Sequence, residues 1–248
     1  MTPSAPMPRI VVASLWCGVV LLTTIGVAAA VGRSLFLSDL ATRAEPGRVR
    51  LFHALGREDP LALERPEEAR QLDLRFAVDP IATLLHVLPG GVFLVLAPFQ
   101  FSSRIRNQHL RFHRWSGRVL VLVGLTTGVT GLYFGLLEPY GGPGEAVVVA
   151  LVGGLFLTAL GKALQAIRRG EVMRHREWMI RAFTLALAIA TVRVVGMVVG
   201  IVLAPAGLRF RTLLTLSMWL GWAINLGAAE LWIARTRAHA QIVRHERQ

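Results

Sequence analysis

Cysteine is almost missing from this chain: Cys17 is the only one in 248 residues, and it lies inside an apolar run. One thiol excludes an intrachain disulfide framework and a thiolate metal cage. Charge is scarce too. Asp, Glu, Lys and Arg make up 17% of residues, against about 25% in a soluble domain, which argues against an ordinary soluble globule. Lys162 is the single lysine among 27 basic residues; no physical requirement explains that, and it fits the codon usage of a GC-rich genome. No internal repeat and no nucleotide-binding glycine loop is evident, and Tyr140–Gly144 reads as a turn between spans. No nucleophile–base pair or acid pair stands out either, so a hydrolase or a kinase is unmotivated.

Hydrophobic residues, in contrast, make up 54%. Six runs approach the roughly 20 residues that cross a hydrocarbon core about 30 Å thick: Ile10–Val31, Ile81–Phe101, Val119–Leu137, Ala146–Ala166, Ala182–Leu203 and Thr212–Ala234. Only Lys162, Arg193 and Glu230 interrupt them with charge. Helices of a soluble core would show polar faces at helical spacing, which these runs lack. The expectation is an all-α polytopic membrane bundle of about six transmembrane helices. Ala28, Ala29 and Ala30 offer small residues of the kind found at a signal cleavage site. The apolar stretch before them exceeds the roughly 7–15 residues of a signal h-region, so it is read as a span.

The net charge of +12 suggests an anionic partner until its distribution is examined. Segments on the side of the N-terminus carry 16 basic residues against three acids, and segments on the other side carry 10 against 11. The positive-inside rule then places both termini in the cytoplasm of a cell (inner) membrane protein. The expected organisation is an N-terminal transmembrane helix (1–32), an extracytoplasmic loop (33–79), a five-helix core (80–234) and a basic cytoplasmic tail (235–248). Within the loop, 61–76 reads as a short surface helix. The partners implied are the lipid bilayer and anionic headgroups at the cytoplasmic face, worth about 1 kcal/mol per basic residue near the surface. Nucleic acid is not expected, because the arginines are spread over short loops without a binding module. Gly124, Gly128, Gly131 and Gly135, and again Gly196 and Gly200, have the small-residue spacing that lets membrane helices approach closely.

Polar residues in hydrocarbon are costly and call for a reason. His86 lies about 9 Å inside the outer edge of the second run, by helical rise. His86, Gln100, Arg193, Asn225 and Glu230 are read as a polar intramembrane network, with Arg193 expected to meet Asn225 and His86, and Glu230 to lie near Gln100. Trp178, Trp219, Trp222 and Trp232 are read as an interfacial aromatic belt. At the cytoplasmic mouth, His109, His113, Arg114 and Arg118 precede the third run, and His175 and Arg181 precede the fifth.

The string His86, Gly90, Pro98-Phe99-Gln100-Phe101, Arg104, His113-Arg114, Gly117-Arg118 resembles a family of bacterial and fungal membrane proteins known as domain of unknown function 2306. His175-x-x-Trp178-Met179-x-Arg181, Arg193 and Asn225-Leu226-x-x-x-Glu230 fit the same pattern. The resemblance covers about residues 76–234, and His109 is not part of it. It implies a multi-pass membrane fold and brings no established activity.

Chemistry must therefore come from the residues. Two imidazoles from different helices can ligate a b-type haem, with Arg114, Arg118 and Arg181 facing its propionates; in that reading His113 and His175 form a redox site. The same two residues also suit anchors that bond backbone carbonyls. A metal site of His109, His113 and His175 is a second reading, provided the i,i+4 pair shares a helix face. A small-solute or proton transporter using the intramembrane network is a third, and a non-catalytic accessory role a fourth.

Overall fold

A hydrocarbon core offers no water to the backbone, so each apolar run must satisfy its own amides and carbonyls. The computed structural model describes residues 9–42, 67–137 and 139–245, and each apolar run within them is an α-helix. The helices are α1 (Arg9–Thr42), α2 (Glu67–Val78), α3 (Pro80–Gln100), α4 (Ser103–Gln108), α5 (Leu110–Leu137), α6 (Pro143–Arg168), α7 (Val172–Leu203) and α8 (Phe210–His245), with a 3-10 turn at Ala204–Ala206. Six of them (α1, α3, α5, α6, α7 and α8) are long and apolar enough to cross a membrane. Of the surface helix expected over 61–76, residues 61–66 lie outside the described residues, and α2 supplies the rest.

Local chemistry sets the helix ends. Asp79 caps α3 by accepting from the Ala82 amide at 3.0 Å, and Pro80 follows where no amide is needed. Gly170, at φ 75°, takes the left-handed conformation that reverses the chain between α6 and α7. The Glu171 amide returns to the Ala166 carbonyl at 2.9 Å to close that turn.

Helices α1, α3, α5, α6 and α7 pack in sequence around a ring, α1 also meets α7, and α8 lies along the outside of α7. The ends of α3 and α6 and the beginnings of α5 and α7 share one end of the bundle. It carries most of the described arginines and is called here the basic end. The main core cluster (Phe93, Leu94, Ala97, Leu120, Phe156, Ala159, Leu160, Ala182, Phe183, Leu185 and Leu187) fills the middle of the ring and its basic half. The glycine stripe of α5 seats α6 closely: side chains at Gly124, Gly128 and Gly135 would strike Leu160, Leu157 and Val149. The pair in α7 behaves differently. Gly196 borders Ser217 at ordinary contact distance, Gly200 borders nothing, and the tight approach of α7 to α8 is instead made by Gly221 against the Val192 backbone.

Candidate functional site

At the basic end, chain breaks bring polar side chains together. Helix α3 stops at Gln100, Ser102 caps the six-residue α4, and His109 leaves helical geometry with φ −127° before α5 begins. Gln100, nearly buried, donates from Nε2 to Ser116 Oγ at 2.7 Å, and Ser116 donates to the Phe112 carbonyl at 2.6 Å. His175 on α7 bonds the Ala163 carbonyl of α6 through Nδ1 at 2.9 Å. His113 on α5 stands near enough for the charges of His175, Arg106 and Arg114 to act on it. Its Nδ1 is buried and has no hydrogen-bond partner. Arg114 and Arg118 are exposed on the same helix.

Two expectations fail here. His109 stands at the break that opens α5, its carbonyl accepting from the His113 amide at 3.0 Å; its ring is exposed and lines an apolar groove of about 440 Å³ with Leu96, Phe99, Ile105 and Phe112. Among the described residues no three His, Cys, Asp or Glu side chains converge as a metal site, so His109, His113 and His175 do not assemble as one. Glu230 and Arg181 bond each other, rather than Glu230 meeting Gln100 and Arg181 facing a propionate: Arg181 Nε and Nη2 donate to the two Glu230 carboxylate oxygens at 2.6 and 2.8 Å. The same guanidinium lies over the Trp178 ring, 4.7 Å from its centroid.

A second pair that sequence reasoning missed runs between the same two helices. Arg237 holds the buried Glu177 carboxylate, donating from Nε and Nη2 to its two oxygens. Both residues look like ordinary loop charges in the sequence; only the extension of α7 and α8 beyond their apolar runs makes them neighbours.

Deeper along α7, Asn225 and Arg193 do not meet. Asn225 accepts from Thr191 Oγ1 at 2.9 Å and donates to the Thr184 carbonyl at 3.0 Å, while Arg193 donates to the Ile189 carbonyl of its own helix at 2.7 Å. Two residues are about 200° of helical rotation, so Thr191 faces α8 and Arg193 faces away from it. Trp222 is not solely a belt residue: its indole N–H donates to the Leu185 carbonyl at 3.1 Å.

His86 lies toward the opposite end of the bundle. Its Nδ1 is 3.0 Å from the Thr127 carbonyl and 3.3 Å from Thr130 Oγ1, and Thr127 returns a bond to the His86 carbonyl at 3.0 Å. The ring rests on Gly131 and meets Phe134 edge-on. Threonine is common in membrane helices, so no spacing in the sequence singled out this clasp. Arg33 on α1 joins Asp73 of α2 at 2.8 Å over the Phe76 ring, and the Phe76 carbonyl accepts from Thr83 at 2.7 Å. Phe76 also packs on Phe134, and α2 reaches α8, so α2 crosses the end of the ring.

No curated protein and no solved structure matches the chain. A match to one family extends over residues 83–233, which takes in α5, α6 and α7 entire, almost all of α3 and most of α8, but neither Arg33, Asp73 nor Arg237. The chain belongs to that family, described as predicted membrane protein (DUF2306).

Proposed function

We propose that this integral membrane protein is a redox module that holds one b-type haem between His113 and His175 at the cytoplasmic face of the inner membrane. The observation that carries the reading is the state of the two imidazoles. His113 Nδ1 is buried without a hydrogen-bond partner, so no backbone bond holds this ring, and Nε2 is its nitrogen left to ligate. His175, from a different helix at the same end, has its Nδ1 taken up by the Ala163 carbonyl. That bond fixes the tautomer and leaves Nε2 as the lone-pair nitrogen, the arrangement that prepares a histidine for ligation.

Bound haem supplies one-electron chemistry at its iron. The chain's part is to hold the two ligands on separate rigid helices and to place Arg114 and Arg118 where carboxylates are neutralised. Arg181 leaves the propionate-facing set, since Glu230 occupies its fork. The basic segments around this site fit a cytoplasmic face, with both termini inside.

Protein produced with haem precursor supplied is expected to carry a Soret band and an α-band that sharpens on reduction. His113→Ala and His175→Ala each lose it, whereas His113→Met keeps haem with a changed spectrum, because a thioether also serves as an axial ligand. A colourless, folded parent protein overturns the reading.

A further inference from the structure

The end of the bundle opposite the haem site holds a cation that pairs with no carboxylate among the described residues. Arg193 precedes Leu203, the last residue of α7, by ten positions, about 15 Å along the axis. Arg193 is exposed, and its Nη1 donates back along its own helix to the Ile189 carbonyl, one turn toward the basic end, at 2.7 Å. His86 of α3 and Arg33 of α1 stand close enough for their charges to act with it.

Neither neighbour compensates it. Arg33 is balanced by Asp73, and His86 is tied to the Thr127 carbonyl. Among the described residues no carboxylate forms an ion pair with Arg193. The group therefore carries one full positive charge at mid-depth. Arg193 is exposed and lies beyond the main core cluster, whose residues on α7 end at Leu187, and α2 crosses the end of the bundle on that side. One turn along α1 from Arg33, an apolar groove of about 320 Å³ runs between α1 and α3, bordered by Val27, Ala30, Val31, Gly91 and Val95.

We propose that Arg193 is the seat of an oxyanion-binding site, taking a carboxylate or phosphate group between α1, α3 and α7 beneath α2. A guanidinium presents a planar fork that matches such groups with two charge-assisted hydrogen bonds, and only an anion removes the cost of the lone charge. The oxyanion has two possible sources: the head of a lipid-like amphiphile, whose chain fits the groove between α1 and α3, or a small solute entering past α2. The site shares no residue with the His113–His175 pair, so the two readings stand or fall separately.

The test uses the full-length protein in phosphatidylcholine nanodiscs, with radiolabelled dodecanoate and inorganic phosphate as probes and empty discs subtracted. Saturable binding of at least one probe is expected, reduced about tenfold or more in Arg193→Met, the cost of a charge-assisted bond, and unchanged in Arg111→Gln at the basic end. Binding of dodecanoate alone identifies the amphiphile as the source, and of phosphate alone the solute. If Arg193→Met does not fold, Arg193→Lys decides: it keeps the charge but loses the fork, and at least a fivefold weakening is expected. The proposal is overturned if the parent binds neither probe saturably, or if a folded Arg193 variant binds as well as the parent.

Discussion

Arg181→Glu is expected to abolish most of the folded protein recovered in detergent, and the double exchange Arg181→Glu/Glu230→Arg to restore most of it. The native pair is bidentate at 2.6 and 2.8 Å, with the Arg181 side chain 17% exposed and that of Glu230 48% exposed. Two like charges about 4 Å apart repel by about 4 kcal/mol where the effective dielectric is about 20, and the single variant exchanges attraction for that repulsion. Marginal proteins do not survive such a change. The double exchange regains the ion pair but loses the stacking of Arg181 on Trp178, so recovery is incomplete. Fluorescence-detected size exclusion reads the outcome directly. A double variant no better than the single one would show that the pair does not set the packing of α7 on α8.

This pair also fixes how the two helices slide. Helix α7 contributes Glu177 and Arg181, and α8 contributes Arg237 and Glu230, so each helix gives one acid and one base. A slip of two turns brings Arg181 toward Arg237, and apolar surfaces alone impose no such penalty. Polar pairs that specify register at modest cost in stability are a known use of charge in packed helices. Asn225 with Thr191 and Thr184 adds a third polar contact to the same seam.

How much of this was legible beforehand follows from which property each inference used. The six spans were plain because hydrophobic length is a one-dimensional property of the chain. Their ends were not: α7 begins at Val172 and α8 continues to His245, although the apolar runs cover only Ala182–Leu203 and Thr212–Ala234. Charged residues extend a helix as well as apolar ones, so the flanks that hold Glu177 and Arg237 read as loops. Polar residues in the spans were identifiable from their cost alone, but partners depend on rotation about each axis. Arg193 and Asn225 have compatible depths and incompatible faces, which depth alone does not reveal. The break at His109 carries no glycine or proline to announce it. Gly221 has no glycine four positions away, since Ser217 and Asn225 stand at that spacing on its two sides, so the stripe of glycines that marks α5 has no counterpart there.

That glycine leads to the second large effect, a loss from adding one methyl group. At Gly221 a Cβ would lie 2.7 Å from Val192 Cγ2 and 3.0 Å from both the Cα and the N of Val192. Side chains turn aside, but backbone atoms in a helix do not, so Gly221→Ala must push α8 off α7. Separation stretches the bonds of Trp222 to the Leu185 carbonyl and of Asn225 to Thr191 together, because all three lie on the same seam. Overpacking of this kind costs about 1–3 kcal/mol, more than the up to about 1 kcal/mol that alanine gains over glycine in a helix. Gly227, six residues on in the same helix, has nothing within 4 Å of its would-be Cβ, so Gly227→Ala is left with the gain alone. The expected thermal midpoints in one detergent therefore move in opposite directions, down for Gly221→Ala and level or up for Gly227→Ala. Adding Val192→Ala to Gly221→Ala removes the side-chain clash but not the two backbone ones, and recovers only part of the loss. A Gly221→Ala protein as stable as the parent would mean that the backbones of α7 and α8 are not held this close.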